Sequence, residues 1–238
     1  MAKKLINNEK KPELYQVLSD VHAHHINIEA REIYIHGHYG ESESEPGVDY
    51  RMATTFVKNL HFLEKISKRP ITIHMHTIGG EWNDGMAIYD TIKHVTCPTI
   101  MVAYAHARSM SSIIFQAADK RVMMPHADFM IHYGSIALDE ISTAAKSSID
   151  WNERANEEML RVYIERCKEG SFFKDKFEKY IRDFLDKKMR YHVDWWITAK
   201  EAVDYGFADG VWGSPGFESL NKIKTVKRKW NQLRKGQK

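Results

Sequence analysis

Residues 71–118 read ITIHMHTIGGEWNDGMAIYDTIKHVTCPTIMVAYAHARSMSSIIFQAA, and this stretch decides the fold. Ile71 to His76 is a β-prone run leading into a Gly79-Gly80 turn. Gly85 to His94 then reads as a helix, Thr99 to Ala105 as a buried strand and Ser109 to Ala118 as a second helix. Strand, crossover and strand at this spacing imply βαβ units, an α/β fold class and a largely parallel sheet whose loops gather at the strand ends, where α/β proteins keep their sites. Upstream, Glu32 to His36 alternates with period two. Met52, Phe56, Leu60 and Leu63 recur at helical spacing until Arg69-Pro70 stops the run. Downstream, Asp128 to His132 reads as one more strand.

From about Asp139 to Cys167 the apolar positions Ile141, Ala145, Ile149, Ala155, Met159 and Tyr163 follow one another without an internal Gly or Pro. The spacing predicts one long helix of about 40 Å, longer than a compact domain needs for itself, so part of it is expected to meet a partner subunit. Thr198 and Glu201 have the capping-box spacing, and Gly206 suits a left-handed helix end, which together predict a short helix over 199–205. Residues 40–47, GESESEPG, read as an acidic loop.

The chain has 238 residues, 35 basic and 32 acidic, a formal net charge of +3 and 43% apolar residues. This is ordinary globular composition, with enough chain for a sizeable core. Cys97 and Cys167 are its two cysteines, no apolar run is long enough to span a membrane, and the start MAKKLINNEKK lacks a signal-peptide core. A cytoplasmic location is expected, without membrane contact. Residues 222–238 hold eight basic side chains and no acid. They are expected to be a solvated end, with docking on nucleic acid or an acidic surface as the other reading. The body carries no basic stripe, so nucleic acid is not an expected partner.

Ser109 falls between a buried strand and an amphipathic helix. It is either an N-cap or a nucleophile, whose oxyanion needs fixed N–H donors of the kind a helix start and the Gly79-Gly80 turn supply. His132 ends an apolar strand and is either a packed histidine or a general base. Asp194 is either a solvated turn carboxylate or the group that orients the imidazole. Their joint occurrence at strand ends favours the chemical readings. The pairs His36/His38 and His74/His76 are expected to be surface or interface histidines, because no cysteine or carboxylate spacing completes a zinc site. Trp195-Trp196 reads as core or interface packing.

Over about residues 31–212 the chain resembles the proteolytic subunit of the Clp protease, a self-compartmentalising serine peptidase. The resemblance is carried by Gly79-Gly80 with the following Ala87 to Ile92, by Ala107 to Met110, by Met130-Ile131-His132, and by Asp194 with Thr198 to Gly206 and Asp209. It implies the Clp protease/crotonase-like fold, with a long protruding helix used in ring–ring contacts. It also implies a serine endopeptidase in which Ser109 is the nucleophile, His132 the base and then acid, and Asp194 the orienting carboxylate. Gly79, Gly80 and the Met110 amide would form the oxyanion hole. Unfolded polypeptide would bind as an added strand inside a chamber of homo-oligomeric rings, heptamer or tetradecamer, fed by a Clp-type AAA+ ATPase. No cofactor or metal is implied, and no G-x-x-x-x-G-K-[ST] phosphate loop is present.

The pattern is departed from at Ile78, Arg108, Ser111, Tyr133-Gly134 and Val193, where the family usually has proline, a small apolar residue, glycine, Gln-Pro and arginine. A guanidinium at 108 either supports an oxyanion or blocks the pocket. The alternatives are therefore a catalytically impaired Clp-like ring or scaffold subunit and, less favoured, a crotonase-type acyl-CoA enzyme. The expected organisation is an N-terminal extension over 1–30, a catalytic domain over 31–213 and a basic tail over 214–238.

Overall fold

The computed structural model describes residues 14–36, 47–135 and 141–223. Along the chain run α1 (Leu14–His24), β1 (Ile26–Asn27), β2 (Glu32–His36), α2 (Tyr50–Ile66), β3 (Ile71–His76), α3 (Trp82–His94), β4 (Thr99–Ala103), β5 (His106–Arg108) and α4 (Met110–Phe115). There follow β6 (Lys120–Met123), β7 (Asp128–Ile131), α5 (Ser142–Cys167), α6 (Glu178–His192), β8 (Trp195–Thr198), α7 (Ala199–Tyr205), β9 (Gly210–Val211) and α8 (Leu220–Ile223).

Two sheets result, one in the order β1-β2-β3-β4-β6-β9 and one in the order β5-β7-β8. In the larger sheet β2, β3, β4, β6 and β9 are parallel and β1 is antiparallel. Its register puts Ile33, Ile73 and Met101 side by side, and likewise Ile35, Met75 and Ala103. That face shares one core with Met52, Phe56, Leu60 and Leu63 of α2 and Ile88 and Ile92 of α3. The period-two and helical patterns in the sequence are the two halves of this interface. On the other face Ile100, Val102 and Val122 pack beneath Ile223 of α8. Covered on both sides, β4 buries all five residues, which is why TIMVA shows no alternation.

Five features differ from the sequence reading. β4 ends at Ala103, and after Tyr104-Ala105 the chain starts β5, which pairs with β7 and not with the large sheet. The strand Asp128–Ile131 therefore belongs to the second sheet, where it also pairs antiparallel with β8. α4 stops at Phe115, and the Gln116 and Ala118 carbonyls beyond it are taken by the Arg166 guanidinium. α3 starts three residues early, at Trp82, and Gly85 lies inside it, where an added Cβ would sit within 2.7 Å of the Met110 side chain. β6 was not anticipated: its Arg121 is buried yet satisfied by Asp209, Gln116 and the Gly206 carbonyl.

The expected α7 forms with both halves of its capping box, and Gly206 ends it at φ 86. α5 spans 26 residues, about 39 Å at 1.5 Å per residue. Its first half leaves Ile149 and Trp151 exposed, whereas Ala155, Met159 and Tyr163 are buried. Residues 139 and 140, most of the acidic loop and residues 224–238 of the basic end lie outside the described residues, while Lys222 pairs with Glu218 at 3.1 Å. Among the described residues no helix is long and apolar enough to cross a membrane.

Candidate active site

The turn from β5 into α4 gives Ser109 a backbone of φ 52 and ψ −133, and its side chain makes no capping bond to α4. Ser109 thus holds the N-cap position without capping the helix through its side chain. Its Oγ lies 2.8 Å from Nε2 of His132, the first residue after β7. His132 Nδ1 lies 2.8 Å from Oδ1 of Asp194. A carboxylate only accepts, so Nδ1 carries the ring proton and Nε2 accepts from the Ser109 hydroxyl. The three sequence candidates, 23 and 62 positions apart in chain order, form one hydrogen-bonded line.

Each partner is fixed from its own element. Ser109 donates its amide to the Met130 carbonyl at 3.1 Å, tying its turn to the strand just before His132. Tyr133, next along, donates its hydroxyl to Asp186 of α6. Burial and that carboxylate push the Tyr133 phenol well above its ordinary value, so it stays a donor. Asp194 follows Val193, whose φ 63 and ψ −69 with an Asp194 N–H to His192 carbonyl bond of 2.8 Å make a three-residue turn out of α6.

The glycine turn faces this line. The Val48 amide donates to the Gly79 carbonyl, and the Glu81 amide donates to the Val48 carbonyl at 2.9 Å. Val48 thus pairs with Gly80 across one edge, leaving Gly80's own amide and carbonyl directed to the opposite side. A Cβ on Gly79, at φ 99, would come within 2.8 Å of both the Met110 amide nitrogen and Ser109 Cβ, so only glycine lets the two turns meet. Gly80 and Met110 line the cavity beside Ser109 and His132, and Gly79 is not among its lining residues.

That cavity measures about 380 Å³. Met110, Ile113, Ala155 and Met159 give it apolar surface, and Asn152, Asn156, Trp82 and Trp151 a more polar rim. Arg108 does not line it; the guanidinium lies 5.8 Å from the ring centre of Trp196 on β8. Trp195 is core, packed against Phe184, Tyr205 and Phe207.

His25 and His36 bond to each other at 3.0 Å, and His74 bonds to the Tyr104 hydroxyl at 2.8 Å. His38 lies outside the described residues. Among the described residues no group of three or more His, Cys, Asp or Glu side chains is arranged to hold a metal.

The sequence profile of the Clp protease family matches residues 44–215. The chain belongs to the Clp protease family. It is 30% identical over 189 residues to ATP-dependent Clp protease proteolytic subunit 1 of Chlamydia pneumoniae, covering 77% of this chain and 87% of that one. Proteolytic subunit 2 of Pseudomonas aeruginosa is 30% identical over 169 residues, 69% of this chain and 77% of its own. In fold, a solved mutant of ClpP1 from Listeria monocytogenes superposes with a TM-score of 0.64 at 24% identity, covering 82% of this chain and 96% of that chain. Membership in the Clp protease family makes this a subunit of serine-peptidase type with the Clp protease fold. It gives no support to the acyl-CoA alternative.

The sequence reading missed Val48, which braces the glycine turn, and the Tyr133–Asp186 bond. In the sequence Ser111 reads only as a departure from the family pattern, and no role attaches to Ser112. Two hydroxyls inside the otherwise apolar helix MSSIIF were the available signal.

Proposed function

We propose that the chain is a serine endopeptidase acting through Ser109, His132 and Asp194 on unfolded polypeptide. The observation that carries this reading is the unbroken line of two 2.8 Å hydrogen bonds from the Ser109 hydroxyl to the Asp194 carboxylate, ending beside the cavity. As Ser109 Oγ bonds to a peptide carbonyl carbon, its proton passes to His132 Nε2. Asp194 stabilises the imidazolium that forms. The carbonyl oxygen, now negative, is met by the amides of Met110 and Gly80. Collapse breaks the C–N bond, and His132 returns the proton to the departing amine. Water then attacks the acyl-enzyme with His132 again as base, releasing the acid and restoring Ser109.

The free edge of the glycine turn suits a substrate that adds as a strand, so main-chain hydrogen bonds dominate binding and sequence preference is broad. Family membership supports homo-oligomeric rings, heptameric or tetradecameric, with a Clp-type AAA+ ATPase feeding them, and the apolar residues left exposed on α5 suit a subunit contact. Two buried free thiols, Cys97 and Cys167, fit a reducing cytoplasm. The guanidinium of Arg108, turned toward Trp196, leaves the cavity open and weighs against an impaired subunit.

Hydrolysis of a fluorogenic peptide by the assembled protein, compared with Ser109→Ala, tests the reading. Cleavage that vanishes in the variant supports it. Equal cleavage by both would assign the activity elsewhere.

A further inference from the structure

We propose that Ser111 and Ser112, with Tyr163 behind them, are positioning residues that hold Ser109 in its left-handed backbone and lock the nucleophile turn to the glycine turn and to α5. This rests on the reading of Ser109 as the nucleophile. A non-glycine residue at φ 52 and ψ −133 is in a costly conformation, which persists only where surrounding bonds over-determine it. Those bonds come from two hydroxyls that are fully buried.

Ser111 Oγ accepts the Arg108 amide at 3.0 Å. Its one proton lies between the Arg108 carbonyl at 2.7 Å and the Thr77 carbonyl at 2.9 Å. It therefore clamps the residue before the nucleophile and reaches across to the strand end that feeds Gly79 and Gly80. Ser112 donates its hydroxyl to the Ser109 carbonyl at 2.6 Å, where its own amide also donates at 3.0 Å. With that proton committed, the 2.6 Å contact between Ser112 Oγ and the Tyr163 hydroxyl runs with the phenol as donor. Burial pushes the Tyr163 phenol well above its ordinary value and keeps the proton there.

A helical serine often bonds the carbonyl three residues back without further consequence. Here each hydroxyl makes a second bond to a different element: that of Ser111 ties the nucleophile turn to the strand end before the glycine turn, and that of Ser112 ties it to α5. Tyr163 lies on the α5 face that also presents Ala155 and Met159 to the cavity, so the chain Tyr163–Ser112–Ser109 makes nucleophile and pocket wall one unit.

The test compares wild type with Ser111→Ala, Ser112→Ala and Tyr163→Phe for kcat and KM on a fluorogenic peptide, for the rate of fluorophosphonate labelling, and for Tm. Losing one such bond is expected to lower kcat and the labelling rate together by about five- to tenfold. KM should stay within about twofold, as for groups acting only on the transition state. Adding Tyr163→Phe to Ser112→Ala should cost little more, since both break one chain. Variants that melt earlier but keep wild-type kcat would overturn the proposal, as would a raised KM at constant kcat. Should Ser112→Ala fail to fold, the near-isosteric Tyr163→Phe decides. A wild type that takes no label would overturn the peptidase reading and this one with it; a labelled wild type with unaffected variants overturns this one alone.

Discussion

Asp186 on α6 accepts a hydrogen bond from the hydroxyl of Tyr133, the residue that follows His132, and the same carboxylate is held by Arg190 at 2.9 Å. His132, the proposed general base, is thus anchored from behind by a helix that also ends in the turn before Asp194. Two members of the hydrogen-bonded line share one support. Tyr133→Phe is expected to lose roughly 1–2 kcal/mol of stability, the worth of a partly exposed bond to a charged acceptor. At about 2–4 °C per kcal/mol for a chain of this size, calorimetry resolves that change.

Gly79→Ala forces a Cβ into atoms 2.8–2.9 Å away, all of them backbone or first side-chain atoms of the turn at Ser109. The turns must separate, and the amides proposed as oxyanion donors move with them. Peptide hydrolysis should fall by at least about 10²-fold, the scale of losing one donor. Gly213→Ala, also at positive φ but with open space around it, is the matched control and should retain activity.

Asp194→Asn keeps the size of the orienting group but reverses the tautomer that its hydrogen bond favours. A fall in kcat on the order of 10³–10⁴-fold is expected. Steady-state kinetics on a fluorogenic peptide will measure it. A loss of tenfold or less, on the scale of a single hydrogen bond at about 1.4 kcal/mol, would remove Asp194 from the catalytic line.

Glu64 accepts from the Thr96 amide and hydroxyl, each at 2.7 Å, with Lys68 at 3.5 Å. Partial burial works against its ionisation, but the Thr96 bonds and Lys68 outweigh this and draw the carboxyl from its usual 4.5 to about 2. A pKa lower in the folded than in the unfolded chain contributes stability above pH 4.5 that is lost as pH falls toward 2. Wild type should therefore exceed Glu64→Gln in urea midpoint at neutral pH, with the gap closing across that acid window.

Arg121 is 1% exposed and bonds Asp209, Glu169, Gln116 and the Gly206 carbonyl. Arg121→Met strands these partners, and about 3–5 kcal/mol of stability should go with it. Denaturant unfolding measures the loss.

The strand Ile71–His76 and the helix Ala199–Tyr205 were legible because local signals punctuate them: Arg69-Pro70 before the one, Thr198, Glu201 and Gly206 around the other. The split between β4 and β5 was not, because Tyr104-Ala105 carries no breaker and the change of sheet is decided by pairing with Asp128 to Met130, far along the chain. β6 was hidden by Lys120 and Arg121, and the partners of Arg121 come from the residues just after α4 and α7 and from the segment before β9. At the site, residue types and their order pointed to Ser109, His132 and Asp194. Spacing alone held no trace of the Val48 brace or of the Val193 turn, which exist only once the distant segments meet.

Intact-mass measurement of the assembled protein after fluorophosphonate treatment, followed by peptide mapping, tests the central claim most directly. The account predicts one adduct per chain on Ser109, none in Ser109→Ala, and slow labelling in His132→Ala. An adduct on another residue, or a folded and assembled wild type that takes none, would contradict it.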